Sequence, residues 1–256
     1  MTKINGSDTV AELVDLSNWL GAPERDCAIL GEGNTSARIS ETSFMVKASG
    51  TELGTLDSGG LVEIDFARIG LMLDDLDLDD EGGRQALIES KRDPQESRMP
   101  SVETPLHAVC LMEEGVSFVG HTHPTAINAI TCSAQYESAL RDRIFPDEVV
   151  VCGPEPLLIP YVDPGIHLAR VVREQLSEFR NRTGRYPKTI YLQNHGFIAL
   201  GTSAKQVKAI TAMAVKSART RLGTMAFGGP HPMPQEQVDR IDGRLDEHYR
   251  QAVIDH

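Results

Sequence analysis

The sequence predicts one α/β domain, and three observations predict it. Strand-like stretches cluster at 28–56 and recur at 116–123 and 188–201. Helix-patterned segments are interspersed between them. No internal repeat and no linker of distinctive composition divides the 256 residues. Length alone allows one large domain or two small ones. The continuity of the pattern therefore decides for a single unit over 1–256, with a helical tail from about 224.

The elements follow in order. From Ser7, "SDTVAELVDLSNWLGA" places Val10, Leu13, Val14, Ser17 and Leu20 at helical spacing after a Ser/Asp cap, and Gly21 stops the helix. "AILGEGNTSARISETSFMVKASGTELGTL" alternates short apolar runs with Gly, Ser and Thr, which predicts two or three strands joined by tight turns. "LMLDDLDLDDEGGRQALIESKRDPQESRMP" has no sustained apolar face and reads as a surface excursion. In "SVETPLHAVCLMEEG", Leu106, Val109 and Cys110 recur at helical spacing, with Ser101 or Thr104 as cap and Pro105 in the first turn. The strand "VSFVGHTH" follows Gly115, and "PTAINAITCSA" opens another helix with Pro124 in a first-turn position. "HLARVVREQLSEFRNR" is a helix, "KTIYLQNHGFIALG" is strand, turn, strand, and "SAKQVKAITAMAVKSARTRLG" is a long helix ended by Gly223. A Pro/Gly break and a last helical segment complete the chain.

Composition narrows the functional classes. With 40% hydrophobic and 24% charged residues the chain has an ordinary globular composition. A net charge of -12 opposes any sequence-independent grip on nucleic acid, which needs surplus Lys and Arg to neutralise phosphates. No apolar run approaches the roughly 18 residues of a membrane span, and the N-terminus has no apolar core of signal-peptide length. A cytoplasmic location without membrane contact is the expectation. Cys27, Cys110, Cys132 and Cys152 are scattered without C-x-x-C spacing and are expected to be buried free thiols.

The chemistry begins at "GHTHP". Strand side chains alternate faces, so His121 and His123 project from one face with Cα atoms about 6.5–7 Å apart. Such a pair serves either as a packed structural feature or as two ligands of one ion. His195, at the turn of "LQNHGFIAL" where Gly196 lets the backbone bend, is the best third ligand. Three histidines leave an open coordination position, as in catalytic zinc sites. His107, His167, His231, His248 and His256 are expected to be structural or solvated. Glu103 shares a helical face with His107, and on its own fits a residue favouring the positive helix end. The loops "GEGNTSAR" and "KASGTEL" supply Gly31, Gly33, Asn34 and Ser36, and Lys47, Ser49, Gly50 and Thr51. Gly-rich turns of this kind expose backbone N–H groups to an anion. The first loop is neither a P-loop nor a complete dinucleotide fingerprint.

Taken together, "G-x-G-N-T-S-x-R", "S-G-T", "S-x-E-x-x-x-H", "H-x-H-P" and "N-H-G", in this order from Gly31 to Gly196, resemble the class II aldolase/adducin family. The resemblance covers about nine-tenths of the chain, and its spelling looks most like the aldolase half of bifunctional rhamnulose-phosphate aldolase/alcohol dehydrogenases. It implies a three-layer α/β/α sandwich around a mostly antiparallel sheet, assembled as a homotetramer with active sites between subunits. It makes His121, His123 and His195 metal ligands and Glu103 the catalytic acid/base. Gly33, Asn34, Ser49, Gly50 and Ser101 fall where the family holds the substrate phosphate. The implied cofactor is Zn²⁺; Mn²⁺ and Co²⁺ suit the same ligand types. The implied reaction is retro-aldol cleavage of a ketose phosphate through an enediolate. A 4-epimerase, a decarboxylase of a 3-oxo sugar-acid phosphate, a dehydratase and a non-catalytic adducin-like module are the family alternatives. One departure is Ser101-Val102-Glu103 where sugar-phosphate aldolases often carry Ser-Ser-Glu. The family's acid tyrosine has no motif match here, leaving Tyr161 and Tyr249 as candidates.

Overall fold

The computed structural model describes residues 6–244. Helix α1 (Gly6–Leu20) buries Leu13, Leu16, Ser17 and Leu20 along one stripe, and the chain turns at Gly21. Strands β1 (Asn34–Arg38) and β2 (Ser43–Lys47) form a hairpin, and β3 (Leu61–Asp65) pairs with β2. Two helices follow, α2 (Phe66–Asp74) and α3 (Asp80–Glu89), where the sequence predicted a surface excursion. That expectation fails because Met72, Leu73 and Leu87 reach the core, although only a few apolar positions and the Gly82-Gly83 pair mark the segment. Asp79 starts α3 by accepting the Gly82 N–H at 2.8 Å.

Helix α4 (Thr104–Leu111) is buried along its whole length. Its cap is Glu103 rather than Ser101 or Thr104, and the Glu103 side chain makes no capping bond. Strand β4 (Phe118–Thr122) leads through Pro124, which stands just before the first turn rather than in it, to α5 (Thr125–Thr131). Then come α6 (Tyr136–Leu140), α7 (Pro146–Cys152), β5 (Leu157–Ile159), α8 (Ile166–Thr183), β6 (Thr189–Leu192) and β7 (Gly196–Gly201). Helix α9 (Ala204–Thr224) runs through Gly223, and the chain reverses in the left-handed region only at Gly228, with φ 97°. Helix α10 (Gln235–Asp242) represents the tail, whose remaining residues, with His248, Tyr249 and His256, lie outside the described ones.

The seven strands form one sheet in the order β3-β2-β1-β4-β7-β6-β5. Every neighbouring pair is antiparallel except β5 with β6. Two cores flank it. Ile198 and Leu200 of β7 point into the one covered by α2, α3, α4 and α8. Phe197 and Ala199 point into the one covered by α1, α5, α6, α7 and α9. Period-two alternation thus feeds both faces of a fully buried strand, and the three-layer α/β/α arrangement follows. Each leucine fully buried in these layers contributes about 1.5–3 kcal/mol by leaving water. Three of the four cysteines are buried as expected, but Cys132 is exposed because it caps the C-terminal end of α5.

Candidate active site

Three segments meet at the ends of β4 and β7. Val119 points into the core beneath α4, so His121, two residues on, is aimed at the same side, where α4 begins. His121 is fully buried, and its Nδ1 lies 3.1 Å from the Phe197 carbonyl, an acceptor only. The proton on that edge is therefore Nδ1–H, which leaves Nε2 bare and facing inward. His123 follows the strand, and its Nε2 lies 3.1 Å from Nε2 of His121. His195 closes the group from the β6–β7 turn, where Asn194 holds φ 53°. The Gln193 and Asn194 N–H groups are tied to the Ile159 and Thr131 carbonyls. The backbone bend thus falls on Asn194 rather than on Gly196, as the sequence had suggested. Gly196 is required for space: a Cβ there would lie 2.5 Å from Cδ2 of His123 and 2.7 Å from the Thr122 carbonyl oxygen.

Donor atoms of His121, His123 and His195 all lie within 4.8 Å of one another. Glu103 completes the cluster, with Oε1 3.3 Å from Nε2 of His121 and 3.1 Å from Nε2 of His195. That oxygen is buried without a hydrogen-bond partner among the described residues. A carboxylate oxygen beside converging imidazole nitrogens, two of them 3.1 Å apart, is the donor set a divalent cation fits. The backbone of Glu103, at φ -91° and ψ 5°, sits in the sparsely allowed bridge region where active-site residues recur. Burial pushes its carboxyl pKa up, but the facing His121 and His195 outweigh that and hold it well below the usual range. Glu103 is thus an anion turned toward the histidines.

A directional chain of hydrogen bonds sets the other oxygen. Asn34 Nδ2 donates to Glu103 Oε2 at 2.8 Å and to Ser101 Oγ at 3.1 Å. Asn34 Oδ1 in turn meets Nε2 of His107, and the His107 Nδ1 lies 2.7 Å from Ser36 Oγ. An amide oxygen only accepts, so Nε2 of His107 carries the proton and Nδ1 accepts from Ser36. Full burial, reinforced by the neighbouring His121, pushes the His107 pKa down to about 3, which keeps the ring neutral. His107 lies one turn along α4 from Glu103, so the two grip Asn34 from either side. Its role was not legible beforehand, although the i, i+4 spacing was the available signal.

The phosphate candidates meet at the same end of the sheet. Gly33, at φ 70°, precedes β1, and its Cβ position would be 2.9 Å from the His121 carbonyl oxygen. Ser49 and Gly50 follow β2, with Ala48 bridged to Pro100 and the Ser49 N–H on the Met99 carbonyl, which brings them beside Ser101. Lys47, 2% exposed, ties the two loops by donating to the Gly31 carbonyl at 3.3 Å and the Thr51 carbonyl at 2.5 Å. Burial lowers its pKa, an effect that Glu103 and Glu52 oppose. Asn34 spends its side-chain amide on Glu103, Ser101 and His107. Tyr161 is exposed and donates to Asp163 at 2.9 Å, outside the cluster. Two cavities, about 290 Å³ beside Tyr186 and Ile241 and about 750 Å³ between α2 and α3, are lined by none of these residues.

With this geometry in place, comparison with known proteins is decisive at the family level. The profile of the Class II Aldolase and Adducin N-terminal domain matches residues 11–222. The chain belongs to the class II aldolase and adducin family. The N-terminal class II aldolase domain of a conserved protein from Thermoplasma acidophilum is 28% identical, with a TM-score of 0.65 over 83% of this chain and 93% of that one. L-fuculose 1-phosphate aldolase shares the fold at 17% identity, TM-score 0.70, over 96% of this chain and all of the other, 100%. YgbL from Escherichia coli, named as an aldolase/epimerase/decarboxylase without a choice among them, shares it at 15% identity and TM-score 0.67, over 93% and 99% of the two chains. No curated protein matches the sequence significantly. None of the described helices is long and apolar enough to cross a membrane.

Proposed function

We propose that this class II aldolase-family chain is a metal-dependent lyase that cleaves a ketose phosphate by retro-aldol chemistry. The observation that carries the reading is the buried Oε1 of Glu103, without a hydrogen-bond partner among the described residues and seated 3.1–3.3 Å from Nε2 of His195 and His121. His121, His123 and His195 would hold a divalent ion, Zn²⁺ as first choice and Mn²⁺ or Co²⁺ as substitutes, which would supply a Lewis acid for the charge left when C3–C4 breaks. Glu103, fixed through Oε2 by Asn34, moves a proton between substrate oxygen and carbon with Oε1. Ser36, His107 and Asn34 keep that carboxylate from turning away. Gly33, Ser49, Gly50 and Ser101 receive the phosphate, with Asn34 at the border of both groups and Lys47 holding the loops together.

The group that takes the proton from the C4 hydroxyl as the aldehyde departs comes from a second chain in this reading. Tyr136 donates to the Ile159 and Tyr191 carbonyls and Tyr161 to Asp163, so neither hydroxyl joins the cluster. The active assembly is accordingly a cytoplasmic homotetramer with its sites between subunits, and light scattering that finds a fully active monomer would remove this part. The test of the reaction is incubation of metal-loaded protein with a panel of ketose phosphates and 3-oxo acid phosphates, with products identified by mass spectrometry. Cleavage into an aldehyde and a three-carbon ketose phosphate supports the proposal. Products of the same carbon count, loss of CO₂ or loss of water would assign an epimerase, decarboxylase or dehydratase instead.

A further inference from the structure

Glu32 stands between the two glycines of "GEGN", and neither the ligand set nor the anion loops explain its side chain. Its two oxygens have separate partners. Oε1 accepts the Ile29 N–H at 2.8 Å, and Oε2 lies 3.2 Å from Nδ1 of His123. The Glu32 N–H also donates to the Ile29 carbonyl at 3.2 Å, which closes residues 29–32 into a turn with Leu30 at φ 52°. A non-glycine residue holds that conformation only where its surroundings over-determine it. The turn is pressed onto β4, since Gly33 has no room for a Cβ against the His121 carbonyl oxygen.

A carboxylate accepts and does not donate, so the proton on this edge of His123 sits on Nδ1 and the inward Nε2 is bare. The three histidines differ in this respect. His121 has the neutral Phe197 carbonyl behind it, His123 has a carboxylate, and the buried Nδ1 of His195 has no hydrogen-bond partner among the described residues. We propose that Glu32 is a positioning residue of the metal centre: it fixes the His123 ring and tautomer, makes Nε2 a stronger donor, and couples the 29–32 turn to ion binding. The inference rests on the metal-site reading above. An anionic acceptor behind a ligating imidazole raises the basicity of the coordinating nitrogen, and loss of such an outer partner lowers metal affinity by about 10–100-fold.

The experiment uses the full chain stripped of metal, with Zn²⁺ affinity measured by competition against a chromophoric chelator for wild type, Glu32→Ala and Glu32→Gln. Alanine should weaken Zn²⁺ by about 10–100-fold, and glutamine, which retains one acceptor oxygen, by less. Nitrogen-15 NMR of the metal-free protein supplies a readout that a merely structural role would not move. His123 should be the Nδ1–H tautomer in wild type and in Glu32→Gln, and should lose that preference in Glu32→Ala. Thermal melts of the metal-free variants check the fold, and the glutamine variant carries the comparison should alanine unfold the turn. Zn²⁺ affinity within about twofold of wild type in Glu32→Ala, or an Nε2–H tautomer of His123 in wild type, overturns the proposal while leaving the metal site standing. Wild type that binds no Zn²⁺ overturns both.

Discussion

Gly196→Ala separates two physical reasons for the glycine in "NHG". Were the residue needed for a backbone bend, alanine would cost conformational energy; the left-handed residue of this turn is Asn194, and Gly196 is absent from the positive-φ glycines. Alanine is therefore compatible with the backbone, and the penalty must come from contact. The added methyl would stand 2.5 Å from Cδ2 of His123, the carbon bonded to Nε2, and 2.7 Å from the Thr122 carbonyl oxygen. The imidazole can swing but the strand carbonyl cannot, so β4 and β7 must separate locally. Overpacking of this kind costs about 1–3 kcal/mol. For a chain of this length that corresponds to a Tm loss of roughly 2–12 °C. In the proposed site, swinging His123 displaces one of the three ligands, so Zn²⁺ affinity should fall by no less than the roughly 10–100-fold typical of losing an outer partner. Gly50→Ala is the contrast, since its position has open space but φ 80°, and its cost should appear without loss of Zn²⁺ affinity. The assays are differential scanning calorimetry of the metal-free proteins and Zn²⁺ competition. A Gly196→Ala protein with wild-type Tm and wild-type Zn²⁺ affinity would refute the reasoning.

Purified protein should hold about one divalent metal per chain, and elemental analysis of the His121→Ala, His123→Ala and His195→Ala variants should show it lost; full retention in all three rejects the site. Glu103→Gln keeps the acceptor for Asn34 and should leave folding and metal content alone while lowering kcat by roughly 10²–10⁴-fold. Unchanged turnover and unchanged solvent-proton exchange into the ketose fragment would return Glu103 to a helix-end role. Away from the site, Glu148 is buried with Arg143 and Arg221, and although burial pushes its pKa up, the two guanidiniums hold it below the usual value. Its folded pKa is depressed, so its stabilisation is fully present above the unfolded value of about 4.3 and is lost as pH falls through the folded one. Urea unfolding between pH 3 and 6 should show this slope in wild type and a flatter one in Glu148→Gln. That variant also starts about 3–5 kcal/mol less stable, because its two buried arginines lose their counter-charge.

The parts of the fold legible in the sequence are those where periodicity has length to express itself. Helices α1, α8 and α9 carry long amphipathic stripes, and β6 and β7 flank a turn with strong local chemistry. Strand β5 is three residues long and pairs in parallel, so it offers too few positions for any period to show. The pair α2 and α3 was hidden for another reason. Asp77, Asp79 and Asp80 dominate the segment's composition, while the residues that anchor it, Met72, Leu73 and Leu87, are sparse and distant in sequence.

The site divides along the same line. His121 and His123 were readable because strand alternation converts a two-residue spacing directly into a shared face. Glu103 could be singled out only through the family motif, since its own surroundings read equally well as a favourable helix start. What sequence spacing could not express is convergence from segments distant in the chain: Asn34 bonds Glu103 across 69 positions, and Glu32 reaches His123 across 91. The second contact follows from the antiparallel pairing of β1 and β4, with Asn34 opposite His121, and the first from the start of α4, which sets Glu103 against His121. Once that register is known, the residues just before Asn34 must lie beside those just after His121, and a glutamate two positions ahead of Asn34 falls next to the imidazole two positions past His121. The "GEGN" loop, read from sequence as an anion cradle, is therefore also the outer wall of the histidine cluster. Loop closure and the orientation of His123 are carried by one carboxylate.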